Sequence, residues 1–317
     1  MMKRMMNLIH NENIKIASRT STWVMIGLLI FMVMGVGIVT KFLLPSEEIT
    51  DWRAVVSAEN DHLTQIINDP VISEGERQAL QETIAINEYR LTNDLPPVSD
   101  QSILGFTLSS SMLISIITLF TIIFAATSVA AEFSSGTIKL LLIRPVHRLK
   151  ILFSKYISAF CFSIVFLAVL LIASLLVGAL FFGFENVNAV NLSYEQGMIT
   201  ETPMLLHILF IYVLNSVELL MMVTFAFMIA SVFRNQSLAI GLSIFLMFTG
   251  SQLVFALSQY DWVKYILFAN THLQQFFTGQ PLIEGLTLGF SLMMLLIYFI
   301  IFHAIASYMF VKRDVGA

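Results

Sequence analysis

The chain has 317 residues, 57% hydrophobic and only 12% charged, with a mean hydropathy of +0.83 and a formal net charge of −4. A soluble globular chain is nearer half apolar and a quarter charged, so this composition excludes an ordinary soluble domain and points to the membrane class. One cysteine, Cys161, excludes an intrachain disulfide and any cysteine-based metal site.

A helix crossing a bilayer core needs about 20 apolar residues. Six runs reach that length: 23–43, 103–131, 156–184, 204–233, 238–257 and 282–311. The expected fold class is an all-α integral membrane protein with six transmembrane helices. The chain divides into residues 1–22, a first span at 23–44, a polar segment at 45–102, and spans two to six within 103–317.

Residues 1–22 read as an amphipathic interfacial helix. Met2, Met5, Met6 and Ile9 group on one side, with Lys3, Arg4, Asn7, Asn11 and Lys15 mostly elsewhere. Such a helix lies in the headgroup layer with its lysines toward anionic lipid. The first apolar run is too long for a secretory signal and lacks a small-residue cleavage site.

Lysine and arginine counts set the expected orientation. Lys3, Arg4, Lys15 and Arg19 precede the first span; Lys139, Arg144, Arg148, Lys150 and Lys155 follow the second; Arg234 follows the fourth; Lys312 and Arg313 follow the sixth. The positive-inside rule puts both termini in the cytoplasm and residues 45–102 outside.

Residues 45–102 are expected to form an outer helical hairpin. Trp52, Val55, Val56, Leu63, Ile66 and Ile67 recur at helical spacing, and Asn68-Asp69-Pro70 breaks the pattern. Ser73 and Glu76 have capping-box spacing, after which Leu80, Ile84, Asn87 and Leu91 share a face until Pro96-Pro97. The hairpin reads either as a gate or capture lid, or as a spacer without substrate contact.

Residues 132–155 form a basic, half-apolar segment between two spans. Gly136 permits a break; a short helix over 137–143 puts Ile138, Leu141 and Leu142 on one side and Lys139 on another. Arg144 precedes Pro145, which biases it out of helix and closes the element. Residues 258–281 are too short and polar to cross twice, and carry Trp262, Tyr265, Phe268, Phe276 and Phe277. Short helices in the outer interface are expected there, with any irregular backbone buried in protein or facing water.

Polar residues within the spans are few. Glu218 sits near the middle of the fourth, where a charge costs roughly 2.5–3.5 kcal/mol on insertion scales. Asn215, one turn back, is placed to hydrogen-bond it. The pair reads as a cationic-substrate contact, as a proton or ion relay, or as an interhelical lock. Ser111, Ser115 and Thr118 are expected to share a face of the second span, either for packing or along a substrate path. Gly285 and Gly289 form a G-x-x-x-G expected to pack the sixth span closely.

Catalytic signatures are missing from the sequence. It has no P-loop motif, no H-E-x-x-H and no clustered histidine pair. The expectation is no catalytic residues, no metal site and no cofactor in this chain, and nothing in it points to nucleic acid.

The stretch from Glu132 to Lys155 resembles the cytoplasmic loop of ABC-2 type ABC transporter permeases. It carries Glu132, Gly136-Thr137, Leu140 to Leu142, Arg144-Pro145-Val146, Arg148 and Lys155. The start resembles that family's opening, with Asn11-Glu12, Lys15 and Arg19 before the first span. Residues 233–242 resemble its turn between spans four and five, and 309–317 its ending. The resemblance implies the topology of those exporters, with an N-terminal interfacial helix and a coupling helix between spans two and three. It also implies a second permease copy or similar subunit, and a separate cytoplasmic ATPase that carries ATP and Mg. Coupling contacts would fall at Glu132, Gly136, Thr137, Ile138, Leu141, Leu142, Arg144, Pro145 and Arg148, with Glu12 as a second contact. The expected substrate path is Glu218, Asn215, Ser111, Ser115 and Thr118. Two rival readings stand beside this one. One is an ion- or proton-coupled secondary transporter using Glu218. The other is a membrane sensor or immunity protein that binds a peptide through the outer hairpin.

Overall fold

The computed structural model describes residues 2–44, 51–69, 72–134, 147–184, 187–195, 197–278, 281, 283 and 285–312. Helix α1 is Met2–Ala17 and α2 is Thr20–Ile38, extended by a π turn over Val39–Leu43. Two polar helices follow, α3 (Trp52–Ile67) and α4 (Glu74–Asn93). The second span is α5 (Ile103–Ser109), a 3-10 turn (Ser110–Leu113) and α6 (Ile114–Ser134). The long helix α7 (Arg148–Phe182) leads into strands β1 (Val190–Glu195) and β2 (Met198–Pro203). Then come α8 (Met204–Phe233) and α9 (Gln236–Ala256), a 3-10 turn (Asp261–Tyr265), α10 (Leu267–Thr271), α11 (Gln275–Thr278) and α12 (Leu288–Lys312).

Among the described residues six helices are long and apolar enough to cross a membrane. The chain is a multi-pass membrane protein. The second and fourth spans are buried over 67% and 61% of their apolar stretches, the others over 28% or less, so α5–α6 and α8 form the centre of the bundle. Phe106, Ile117, Phe166, Ile208, Ile211, Leu219 and Phe227 are almost fully buried there. Phe162 stacks on Phe124 at 4.7 Å and contacts Phe166 at 4.4 Å, which meets Phe120 edge-on at 6.1 Å, knitting α7 to α6.

Hydroxyls inside this core bond to their own helices. Thr107, Ser110, Thr121 and Ser231 each donate to the carbonyl four residues back at 2.7–2.8 Å. With no water at that depth, a local acceptor removes the cost of an unsatisfied donor. The second span is not one continuous helix, as expected from sequence. The serine run 109–111 tightens into the 3-10 turn, where Ser109 donates to Asp100 Oδ1 at 2.7 Å and Ser110 to the Phe106 carbonyl.

The spans alternate between two faces. The face that carries α1 holds the start of α7 and the end of α12, joined where Arg148 donates to the Val311 carbonyl at 3.3 Å. The opposite face carries α3, α4 and the strands. The expected capping box is present: the Glu76 amide donates to Ser73 Oγ at 3.3 Å and the Ser73 amide to Glu76 Oε2 at 3.2 Å. Val56 is the buried apolar side chain of this helical hairpin, and Val55 is 55% exposed rather than part of its core. Polar contacts substitute for a core. Asn87 donates to Glu59 at 3.2 Å and to Asn60 at 3.0 Å, and Arg53 pairs with Asp94. The Tyr89 hydroxyl donates to Glu201 at 2.9 Å, docking α4 on β2.

The strand pair is a departure from the all-α expectation. Val190 pairs with Pro203 and Glu195 with Met198 in an antiparallel register. Val190, Leu192 and Tyr194 alternate with polar residues before Gln196-Gly197, a hairpin signal that helical reading passes over.

Residues 258–281 do form short helices between α9 and α12. Asn270, fully buried, holds their irregular backbone together. Its amide donates to the Lys264 and Ile266 carbonyls at 2.8 Å and it accepts from Ser291 Oγ at 2.8 Å. Phe268 lies so close to Gly250 of α9 that a Cβ there would sit 2.4 Å from the ring. Gly250→Ala is expected to displace this segment and cost about 1–3 kcal/mol, as overpacking does. A melting temperature equal to that of the wild-type protein would refute that contact. The glycine pair expected to pack the sixth span does not do so: Gly285 lies in a turn at φ +73 before α12 begins, and Gly289 has open space around it.

Candidate functional site

The junction of α1 with the base of α7 is built around a buried lysine. Lys155, two turns into α7, is 2% exposed, and its Nζ lies 3.1 Å from Glu12 Oε2 on α1. Lys15 closes on Glu12 Oε1 at 2.8 Å. Glu12 is spaced three or four residues from Leu8, Ile9 and Ile16, on the face α1 turns to the protein, and Ile16 is buried. Met6, on the side expected to face lipid, is 63% exposed. Burial pushes the Glu12 carboxyl up, but Lys155 and then Lys15 outweigh it and hold it below its ordinary value.

Further contacts make this corner a unit. Ser158 donates to the Ile9 carbonyl at 3.4 Å, Thr22 to the Ile16 carbonyl at 2.7 Å, and Trp23 Nε1 to the Ala17 carbonyl at 2.9 Å. The Arg19 guanidinium lies 5.8 Å from the Phe124 ring on α6, the same ring that stacks on Phe162 of α7. The base of α7 is thus joined to α1 through Glu12 and the Ile9 carbonyl, and Phe124 and Phe162 pack the bodies of α6 and α7 together. These two helices flank residues 135–146, which lie outside the described residues. Gly136, Thr137, Ile138, Leu141, Leu142, Arg144 and Pro145 therefore have no described position. Glu132 is in the last turn of α6, and its side chain is also outside the described set. Arg148 opens α7 and bonds to the end of α12.

The intramembrane group falls differently. Glu218 is the fifteenth residue of the thirty in α8, at mid-depth and half-buried. No hydrogen bond joins it to Asn215 among the described residues. Its electrostatic neighbour is His272, carried in from the segment between α10 and α11. Sequence reading missed this histidine because a residue 54 positions away is brought to Glu218 only by the fold of that segment. Ser111, Ser115 and Thr118 do not share a face. The 3-10 turn rotates Ser111 out of register, leaving Ser111 half-buried, Ser115 exposed and Thr118 buried. Ser115 donates to the Met112 carbonyl at 2.7 Å and Thr118 to the Ile114 carbonyl at 2.9 Å. Among the described residues no group of three or more His, Cys, Asp or Glu is placed to hold a metal.

A family model described as "Protein of unknown function (DUF2705)" matches residues 79–316, from within α4 to beyond α12. The chain belongs to this family. Two similar proteins come from Bacillus subtilis (strain 168). "Uncharacterized protein YhcI" is 43% identical over 316 residues, 98% of this chain and 100% of that protein. "Uncharacterized membrane protein YdbK" is 34% identical over 220 residues, 68% of this chain and 85% of that one. The family match includes Lys155, Arg148, Glu218 and His272 and begins after α1, so Glu12 lies outside it.

Proposed function

We propose that this chain is the transmembrane permease subunit of an ATP-driven exporter of the ABC-2 type. It works as a pair in the cell membrane and couples to a separate cytoplasmic ATPase that binds ATP and Mg. The observation that carries this reading is the fixed corner around Glu12 and Lys155. A segment with the sequence character of a coupling element lies between α6 and α7, which pack on each other at Phe124 and Phe162, and the base of α7 is joined to α1 through Lys155 and Glu12. In this reading a push on that segment is passed to both helices. The basic residues on the α1 side support reading that face, and both termini, as cytoplasmic.

The test is isolation of the full chain from its native membrane. Co-isolation of a P-loop ATPase is expected, with the Leu141→Asp variant losing that partner while melting as the wild type does. A chain that purifies alone from mild detergent, with no ATP hydrolysis in the preparation, would overturn the proposal.

Glu218 within a span, with His272 near enough to act on it electrostatically, favours one second reading, an ion- or proton-coupled carrier, since intramembrane ionisable residues mark ion paths. Under that reading Glu218→Gln abolishes pH-driven uptake into vesicles without ATP. Under the ABC-2 reading such vesicles show no pH-driven uptake before or after the change.

A further inference from the structure

Between α7 and α12, on the half of the bundle nearest α1, an open groove of about 540 Å³ lies on the outer surface of the bundle. Phe153 and Ile157 form one wall, Phe299 and Ile300 the other, and Ala304 leaves the floor shallow. His303 lies among these apolar groups, stacked on Phe153 at 5.8 Å and edge-on to Tyr156 and Phe299 at 4.3 and 4.5 Å. Its ring nitrogens make no hydrogen bond among the described residues. A polar ring at a lipid-facing position is costly without an acceptor.

The mouth of the groove is cationic. Lys150 precedes Phe153 by three residues and Ile157 by seven, so it stands on the groove face of α7. Arg148 bridges the two helices at that end, and exposed Lys312 closes α12. None of the three makes an ion pair among the described residues, whereas Lys155 nearby has Glu12. A second copy docking here by a two-fold axis would bring these cations against their own images. An anionic headgroup would neutralise them.

We propose that this groove binds one anionic glycerophospholipid. An acyl chain lies along Phe153, Ile157 and Ile300, the phosphate sits at Lys150, Arg148 and Lys312, and His303 donates to an ester carbonyl. Basic sites between helices with an apolar floor are the recognised form of headgroup selection. The site does not depend on the transport reading, because any membrane protein with these two helices would carry it.

Native mass spectrometry of the purified full chain, titrated with phosphatidylglycerol or with phosphatidylcholine of the same acyl composition, tests this. Phosphatidylglycerol is expected to bind about tenfold more tightly, given the attraction of each basic residue for anionic lipid. Lys150→Ala combined with Lys312→Ala removes that preference, and Ala304→Phe lowers binding of both lipids. Equal binding of the two lipids to the wild-type chain would overturn the proposal, whatever the variants do. So would unchanged binding in a folded Ala304→Phe variant, or an intermolecular disulfide formed by Ala304→Cys in membranes, which would make the groove a contact between copies.

Discussion

Glu12→Ala is expected to destabilise the protein by about 3 kcal/mol, the lower end of the cost of breaking a buried ion pair. Lys155 is almost wholly inside and Glu12 is 16% exposed, so removing the carboxylate takes a compensating charge from a lysine with little access to water. The double change Glu12→Leu with Lys155→Met is expected to recover part of the loss, since apolar residues can replace a buried pair at little cost. The pH dependence has a definite sign. The Glu12 carboxyl sits below its ordinary value of 4.5 in the folded chain, so its contribution is fully present above that value and is lost as pH falls through the folded value. Thermal melts of the wild type and Glu12→Ala, run from neutral pH downward, should therefore converge on the acid side. Parallel curves over the whole range, or a neutral-pH melt unchanged by Glu12→Ala, would show that the pair holds nothing together.

The largest packing effect is expected at Gly105, in the first turn of α5. A Cβ at this position would lie 2.0 Å from the Ser99 carbonyl oxygen and 3.1 Å from the Asp100 Cα. Those are backbone atoms, so no side-chain rotation relieves the clash. The turn they belong to also caps the helix, because Ser102 Oγ accepts from the Gly105 amide at 3.1 Å and donates to the Ser99 carbonyl at 2.7 Å. Gly105→Ala must then either push the 99–102 turn away or lose the cap. A loss of at least ~2–3 kcal/mol is expected. Gly27→Ala is the control: α2 has open space around Gly27, and the change should be near neutral. If both variants melt together with the wild type, the close approach at Gly105 is not what seats the second span.

Several elements were legible because one-dimensional patterns carry them. Six apolar runs longer than a bilayer core needs become six spanning helices. Ser73 and Glu76 form the capping box their spacing announced, since a cap is a contact within four residues. The short helices over 258–281 follow from a length too small for two crossings. Misreadings arose where a local competitor acted or where the relevant neighbour was remote. At 109–111 Ser110 bonds the Phe106 carbonyl and Ser109 the Asp100 side chain, the helix tightens into a 3-10 turn, and Ser111, Ser115 and Thr118 differ in burial. Gly285 took a positive φ and ended the expected close-packed helix before it started.

By itself the sequence determined that this protein crosses a membrane many times, which segments cross, and which end of each is basic. Hydrophobicity and charge act on each segment separately, so no partner has to be known. Only the tertiary structure decided which polar groups meet. Lys155 reads in sequence as one more exposed cation of a basic stretch, yet it is sealed against Glu12, 143 residues away. Glu218 looks unaccompanied until the 267–278 region folds His272 toward it. The reason is physical: a buried charge is tolerated only where the fold delivers a compensating group, and the chain distance to that group leaves no mark on local composition.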